Sequence, residues 1–187
     1  MDCEIEKYIF DPNSLSTDKG DVGHGMFTYL NNDQDRFLLR PLCLDDYERG
    51  YIGLLSQLTS TGDVTKEMFT DTFNVMKNNN GGTHYIIVVH DTQKNRIVAT
   101  GSLIIEKKFI HSCGKRARVE DIVVDSDYRG KGFGKIIVQR LIALAKILKC
   151  YKISLECLNA KVNWYGSMGF VQEPGNSNFM QIRFQQD

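Results

Sequence analysis

The stretch Arg129-Gly130-Lys131-Gly132-Phe133-Gly134-Lys135 follows an apolar segment, Ile122-Val123-Val124, and precedes a helical pattern. Three glycines at a helix start leave several backbone N–H groups unobstructed, and the helix dipole adds partial positive charge there. Such a cradle suits an anion, a pyrophosphate above all, and Lys131 and Lys135 add mobile positive charge. The spacing is not the Gly-x-Gly-x-x-Gly of a dinucleotide fold, and no acidic residue follows about twenty positions later at a strand end. No Gly-Lys-Ser/Thr closes the loop as in a nucleotide-triphosphate site. Further along, Val162-Asn163-Trp164-Tyr165 offers a phenol, a proton donor near neutral pH that one turn of helix can aim; on composition alone Tyr165 is a packing aromatic beside Trp164. Glu120 and Asp121 are adjacent carboxylates, which a regular strand sends to opposite faces. The cations Lys107, Lys108, Lys115, Arg116 and Arg118 read on the same basis as a solvated edge that discourages strand aggregation.

These residues need elements to hold them. Residues 1–35 carry Asp11-Pro12-Asn13-Ser14, scattered glycines and Asn31-Asn32-Asp33 without a sustained apolar period, and read as a loosely ordered extension from which Tyr8, Ile9 and Phe10 can dock. The domain then spans 36–187. Phe37–Pro41 is a short strand; Asp45 and Asp46 open a helix whose apolar positions are Tyr47, Tyr51, Leu54, Leu55 and Leu58. Thr65 caps a second helix that Asn78 to Gly82 ends. Strands follow at 83–90, 96–110 and 117–124, with a hairpin tip at 111–115. Ile137, Leu141, Leu144 and Leu148 form one helical stripe, Tyr151–Cys157 is a strand, Val162–Met168 a short helix, and Phe170 with Phe179–Phe184 supplies the last strands. The order βααβββαβαββ argues for one mixed α/β sheet layered by helices.

With these elements in place, Arg129-Gly130-Lys131-Gly132-Phe133-Gly134 resembles the R/Q-x-x-G-x-G/A acetyl-CoA pyrophosphate loop of the GNAT acyltransferase superfamily, between the fourth strand and third helix. Leu58 to Gly62, Ile110 to Cys113, Arg118 to Val124, Cys150 to Ile153, Leu155 to Cys157 and Gln181 to Arg183 are similar, in order, to motifs of the eukaryotic glucosamine 6-phosphate N-acetyltransferase family. Phe10-Asp11-Pro12 resembles the extension of its animal members. The resemblance implies an α/β (α+β) GNAT fold: a single mixed, mostly antiparallel sheet flanked by helices, with acetyl-CoA bound at splayed central strands and no metal. It implies that the amine of glucosamine 6-phosphate attacks acetyl-CoA directly in a ternary complex, supplying UDP-N-acetylglucosamine synthesis.

On the same resemblance Tyr165 and Glu156 are catalytic, Tyr165 toward the leaving sulfur and Glu156 toward the amine, and both also meet the cofactor. The backbone of Ile122, Val123 and Val124 receives the pantetheine arm, although the same residues read equally as a buried strand; Gly130, Lys131, Gly132, Phe133, Gly134 and Lys135 receive the pyrophosphate. Sugar binding falls to Thr59, to Lys108, Phe109, Ile110 and His111, to Glu120, Asp121 and Ile122, to Tyr151 and Lys152, and to Arg183. The family's final strand crosses a homodimer, so Arg183 is expected in the partner's site. Lys161 departs from a common asparagine, and Pro174 to Asn178 is longer than in compact relatives.

Composition narrows the alternatives. With 23 basic and 23 acidic residues in 187 there is no positive excess for general nucleic-acid binding. Its longest apolar runs, Tyr85–Val89 and Leu141–Ala145, fall far short of the ~18 residues of a membrane span. The start, Met-Asp-Cys-Glu-Ile-Glu-Lys, lacks the basic and apolar regions of a signal, which predicts a cytoplasmic, soluble protein. Cys3, Cys43, Cys113, Cys150 and Cys157 make no C-x-x-C pair and read as reduced thiols, with Cys43, Cys150 and Cys157 as small buried hydrophobes.

Overall fold

The computed structural model describes residues 7–12, 28–30, 36–78, 82–175 and 180–182. Its strands are β1 (Thr28–Leu30), β2 (Phe37–Pro41), β3 (His84–Asp91), β4 (Arg96–Lys107), β5 (Lys115–Val124) and β6 (Cys150–Ser154); its helices are α1 (Tyr51–Leu55), α2 (Lys66–Asn78), α3 (Phe133–Ile147) and α4 (Val162–Gly166). One sheet holds all six strands in the order β1-β2-β3-β4-β5-β6. Every neighbouring pair is antiparallel except β5 and β6, which α3 joins as a parallel crossover.

The run Tyr85–Val89 shows why this sheet is buried. Ile87 and Val89 face one layer, with Phe133, Ile137, Leu141 and Leu144 of α3. Ile86 and Val88 face the other, with Tyr51 and Leu54 of α1 and Phe69 and Phe73 of α2. Both faces are covered, so the strand is apolar throughout rather than alternating. Thr65 caps α2 as its sequence requires, its Oγ1 accepting the Met68 N–H at 3.2 Å.

One sequence expectation is met here and three are corrected. Ile9 docks as expected, buried with its N–H donating to the Leu42 carbonyl at 2.9 Å, and β1 pairs with β2. The helix expected from Asp45 to Leu58 is split into a 3-10 turn at Leu44–Tyr47 and α1, because Gly50 is left-handed (φ +80). Asp46 turns inward there to take two Arg40 hydrogen bonds of 2.6 and 2.7 Å and the Cys43 N–H at 2.9 Å, and Leu58 is left exposed. Phe170 packs on the α3-side core but joins no strand; residues 180–182 join none either, and Met180 and Ile182 are exposed at 89% and 82%. Phe179, Arg183 and Phe184 lie outside the described residues. Cys157 is exposed, not buried, because β6 ends at Ser154 instead of running to it.

Candidate active site

Strand β5 changes phase in its middle. Ala117 and Val119 pack in the α3-side core, and so do Ile122 and Val124, a step of three where alternation demands two or four. The extra residue is a β-bulge at Asp121, which is left-handed (φ +53); Ser102 pairs with Glu120 and Thr100 with Val123, leaving Gly101 opposite Asp121 and Ile122. Only a glycine suits that place, since a Cβ on Gly101 would collide with Ile122 Cδ1 and come within 2.6 Å of Ile137 Cγ2. The expectation that Glu120 and Asp121 lie on opposite faces by strict alternation therefore fails at this point.

The second feature is a fork. Strands β5 and β6 stay in register only as far as Arg118 and Ser154. Beyond it β5 continues from Val119 to Val124 with no strand partner on that side among the described residues. Its outward N–H and C=O groups can accept an extended chain carrying amides, as a strand edge does. The candidates Ile122, Val123 and Val124 all lie on this edge.

The edge leads into the glycine loop. Asp125, buried, accepts the Asp127 N–H at 3.0 Å, Arg96 at 2.6 Å and Gln57 at 3.1 Å, and Gln57 in return accepts the Ser126 N–H at 2.9 Å. Tyr128 donates to Asp91 at 2.8 Å. Burial of Asp91 works to raise its carboxyl, but Arg36 and Tyr128 prevail and pull it down to about 2. On this anchored base Gly130 (φ +80) and Gly132 (φ +83) turn with open space where any Cβ would stand. The first intrahelical bond is from Ile136 N–H to the Gly132 carbonyl at 3.1 Å, so the N–H groups of Phe133, Gly134 and Lys135 precede it. Lys131 and Lys135 are exposed beside them. Phe133 itself is core, 4.9 Å from the Phe37 ring, so it offers the loop its backbone alone. Open edge, bare glycines and free helix N–H groups together fit an extended amide chain ending in a pyrophosphate, which is the shape of the pantetheine and diphosphate of acetyl-CoA.

Helix α4 sits against the loop: a Cβ on Gly134 would lie 3.6 Å from Trp164 Cζ2. Tyr165 stands edge-on to Trp164, ring centroids 4.6 Å apart, and to Phe170 at 5.9 Å. Half-buried, its hydroxyl is pushed above the ordinary phenol value by burial first and by the Cys157 thiol second. It is a protonated donor at any physiological pH.

Below the fork lie the acids and the sugar candidates. Arg118 Nε donates to Glu120 at 3.0 Å and its Nη2 to Glu156 at 3.2 Å. Asp121, accessible at its rim, has its carboxyl raised by desolvation and then by the Glu120 charge. His111 stacks on Tyr151 at 4.1 Å and 34°. His111 sits in a turn, Ile110–Cys113, where His111, Ser112 and Cys113 are all left-handed. The Lys108 N–H closes that turn on the Gly114 carbonyl at 2.9 Å, and Lys108 Nζ pairs with Glu106. Phe109 and Ile110 are exposed at 96% and 63%. Lys152 is exposed on β6 opposite Arg116. Thr59, just past α1, is exposed and its N–H bonds back to the Leu55 carbonyl; among the described residues no side-chain hydrogen bond links it to the other candidates. Arg183 lies outside the described residues.

Sequence reasoning missed Gly101, Gln57, Trp164 and Arg118. The alternating Arg116-x-Arg118-x-Glu120 was a signal for the last; Gln57, 68 residues from Asp125, carried none. Among the described residues no group of His, Cys, Asp and Glu is arranged to hold a metal, and no helix is long and apolar enough to cross a membrane.

A forked sheet feeding a glycine loop at a helix start defines an acyl-CoA-dependent transferase. The acetyltransferase (GNAT) family model matches residues 52–170, and the chain belongs to that family. Within it the chain is 43% identical over 183 residues, 96% of its length and 83% of the relative's, to a probable glucosamine 6-phosphate N-acetyltransferase of Drosophila melanogaster. It is also 43% identical over 139 residues, 74% of its length and 87% of the relative's, to glucosamine 6-phosphate N-acetyltransferase 1 of Dictyostelium discoideum. The crystal structure of glucosamine-6-phosphate N-acetyltransferase from Arabidopsis thaliana superposes with a TM-score of 0.75 at 40% identity, covering 80% of this chain and 99% of that one.

Proposed function

We propose that this chain moves the acetyl group of acetyl-CoA to the amine of glucosamine 6-phosphate, giving N-acetylglucosamine 6-phosphate and free CoA. The observation that carries the reading is the open Val119–Val124 edge running into the Gly130–Lys135 loop, with the Tyr165 helix packed on that loop. The names of the relatives supply the sugar. In this reading the amine lone pair attacks the thioester carbon, and the carbonyl electrons move onto oxygen. A backbone N–H of the Ile122–Val124 edge faces that oxyanion. The C–S bond then breaks, Tyr165 gives its proton to the departing sulfur, and the amine's surplus proton passes to Glu156 or to water. Binding and attack in one ternary complex remove the need for an acyl-enzyme.

For the sugar, Lys108, Lys152 and Arg183 take the phosphate, while Glu120, Asp121, His111, Tyr151, Thr59 and the Phe109–Ile110 turn surround the hydroxyls and ring. The catalytic unit is 36–187, and residues 1–35 are an extension that sends Ile9 and β1 back onto it. Two copies form the working enzyme, with the segment around Arg183 crossing to the partner. Exposed Phe109, Ile110, Met180 and Ile182 support that arrangement, being apolar area that a partner would cover. The enzyme is cytoplasmic and feeds UDP-N-acetylglucosamine synthesis.

A thiol-release assay with acetyl-CoA tests the reaction. Rapid release with glucosamine 6-phosphate, and little with glucosamine or a lysine peptide, is the expected result; preference for the peptide overturns it. Mixing Arg183→Ala with Tyr165→Phe subunits tests the assembly, because activity returns only if the arginine serves the partner's site.

A further inference from the structure

We propose that Arg118 is a positioning residue that holds Glu156 at the mouth of the fork; the inference rests on the acetyl-transfer reading above. Arg118 is the last residue of β5 in register with β6, opposite Ser154. Its guanidinium reaches forward along its own strand to Glu120, with Nε at 3.0 Å, and across the opening to Glu156, with Nη2 at 3.2 Å. One planar group thus ties both banks of the fork where they part.

Glu156 needs such a tie. It lies two residues beyond the end of β6, in a stretch, residues 155–158, that has no regular secondary structure and so no ladder to fix its backbone. Glu120, by contrast, is held in β5 by its pairing with Ser102. The rigid bank therefore orients the loose one through the arginine. Arg118 stays firmly charged in this position, since burial works against the charge but the hydrogen bond to Glu120 and the nearby carboxylates together outweigh it. A lysine would keep the charge without the planar fork that spans two carboxylates.

The trio is also too wet to be a stability device. Side-chain exposures are 29% for Arg118, 40% for Glu120 and 53% for Glu156, and ion pairs this accessible are largely screened. What the arginine controls is where the Glu156 carboxylate stands when the amine arrives. Its loss is then read in turnover and not in melting temperature.

The test is a double-mutant cycle on the full chain with Arg118→Gln, Glu156→Gln, the double variant and Arg118→Lys, assayed by thiol release and thermal melting. Arg118→Gln is expected to lower kcat by roughly two- to fivefold while both KM values stay unchanged within error and the melting temperature barely moves. Arg118→Lys is expected to recover only part of kcat. The double variant should be no slower than Glu156→Gln, since an arginine acting through Glu156 has nothing left to position. Losses that multiply, full activity in either single variant, or a change confined to the KM for the sugar phosphate would overturn the proposal, the last by making Arg118 a direct sugar contact. If Arg118→Gln does not fold, Arg118→Lys carries the same cycle. A wild-type protein inert toward glucosamine 6-phosphate would instead sink the underlying reading, which the first assay distinguishes.

Discussion

Gly134 faces Trp164 across a gap that one methyl group would fill: a Cβ on the glycine would stand 3.6 Å from the indole. The first turn of α3, which offers its N–H groups to an anion, thus lies beside α4, which carries Tyr165.

Tyr165→Phe keeps the ring packed against Trp164 and Phe170 and removes the proton. It should lower kcat on the order of a hundredfold while leaving both KM values within a few-fold, because the hydroxyl matters as the sulfur departs. Burial raises the phenol's pKa, so the wild-type kcat should show no decline from Tyr165 ionisation up to about pH 10, its unperturbed value. Steady-state kinetics across pH check both; an equally active phenylalanine variant returns Tyr165 to a packing role.

Gly132→Val should act on the glycine loop. A β-branched residue is strained at φ +83, and its side chain would fill the space above the loop N–H groups. The KM for acetyl-CoA should rise by about tenfold or more, with sugar binding nearly unchanged. Calorimetric titration with CoA alone separates this from a change in turnover.

Gly101→Ala should be destabilising by about 1–3 kcal/mol, an overpacking cost, because Ile122 and Ile137 occupy the place of its Cβ. Adding Ile122→Val removes the Cδ1 in the way and should recover part of the loss. Urea unfolding of the three proteins measures this, and additive losses would show that the bulge is not packed as described.

Acid stability should depend on Asp91. Its carboxyl is at about 2 when folded against an ordinary 3.8, a depressed value, so its contribution is present above pH 4 and is lost as pH falls from 4 through 2. The contribution is about 2 kcal/mol. Asp91→Asn should therefore weaken the protein at pH 7, and its deficit relative to wild type should shrink between pH 4 and 2, as followed by denaturant unfolding at each pH.

The sequence was most legible where period or cap chemistry acts locally. The α3 stripe, the Thr65 cap and the glycine loop need only neighbours within a few residues, and the family resemblance then assigned their roles. What could not be read depends on partners far along the chain. The phase change at Asp121 exists because Gly101 and Ile137 leave room for Ile122, and no local pattern announces it. The expected helix through Asp46 breaks at left-handed Gly50, and Asp46 turns inward to Arg40 and the Cys43 N–H. The early end of β6 at Ser154, which opens the fork, leaves no mark in the local pattern of residues 151–157.

The strand order carries a consequence for the protein's birth. Each strand lies beside its predecessor in the chain, so a polypeptide leaving the ribosome has β1 to β5 in hand before Cys150 appears. The second bank of the fork, Glu156 and the Tyr165 helix all follow Cys150 in the chain. The residues proposed for the centre on that bank therefore leave the ribosome after the whole meander.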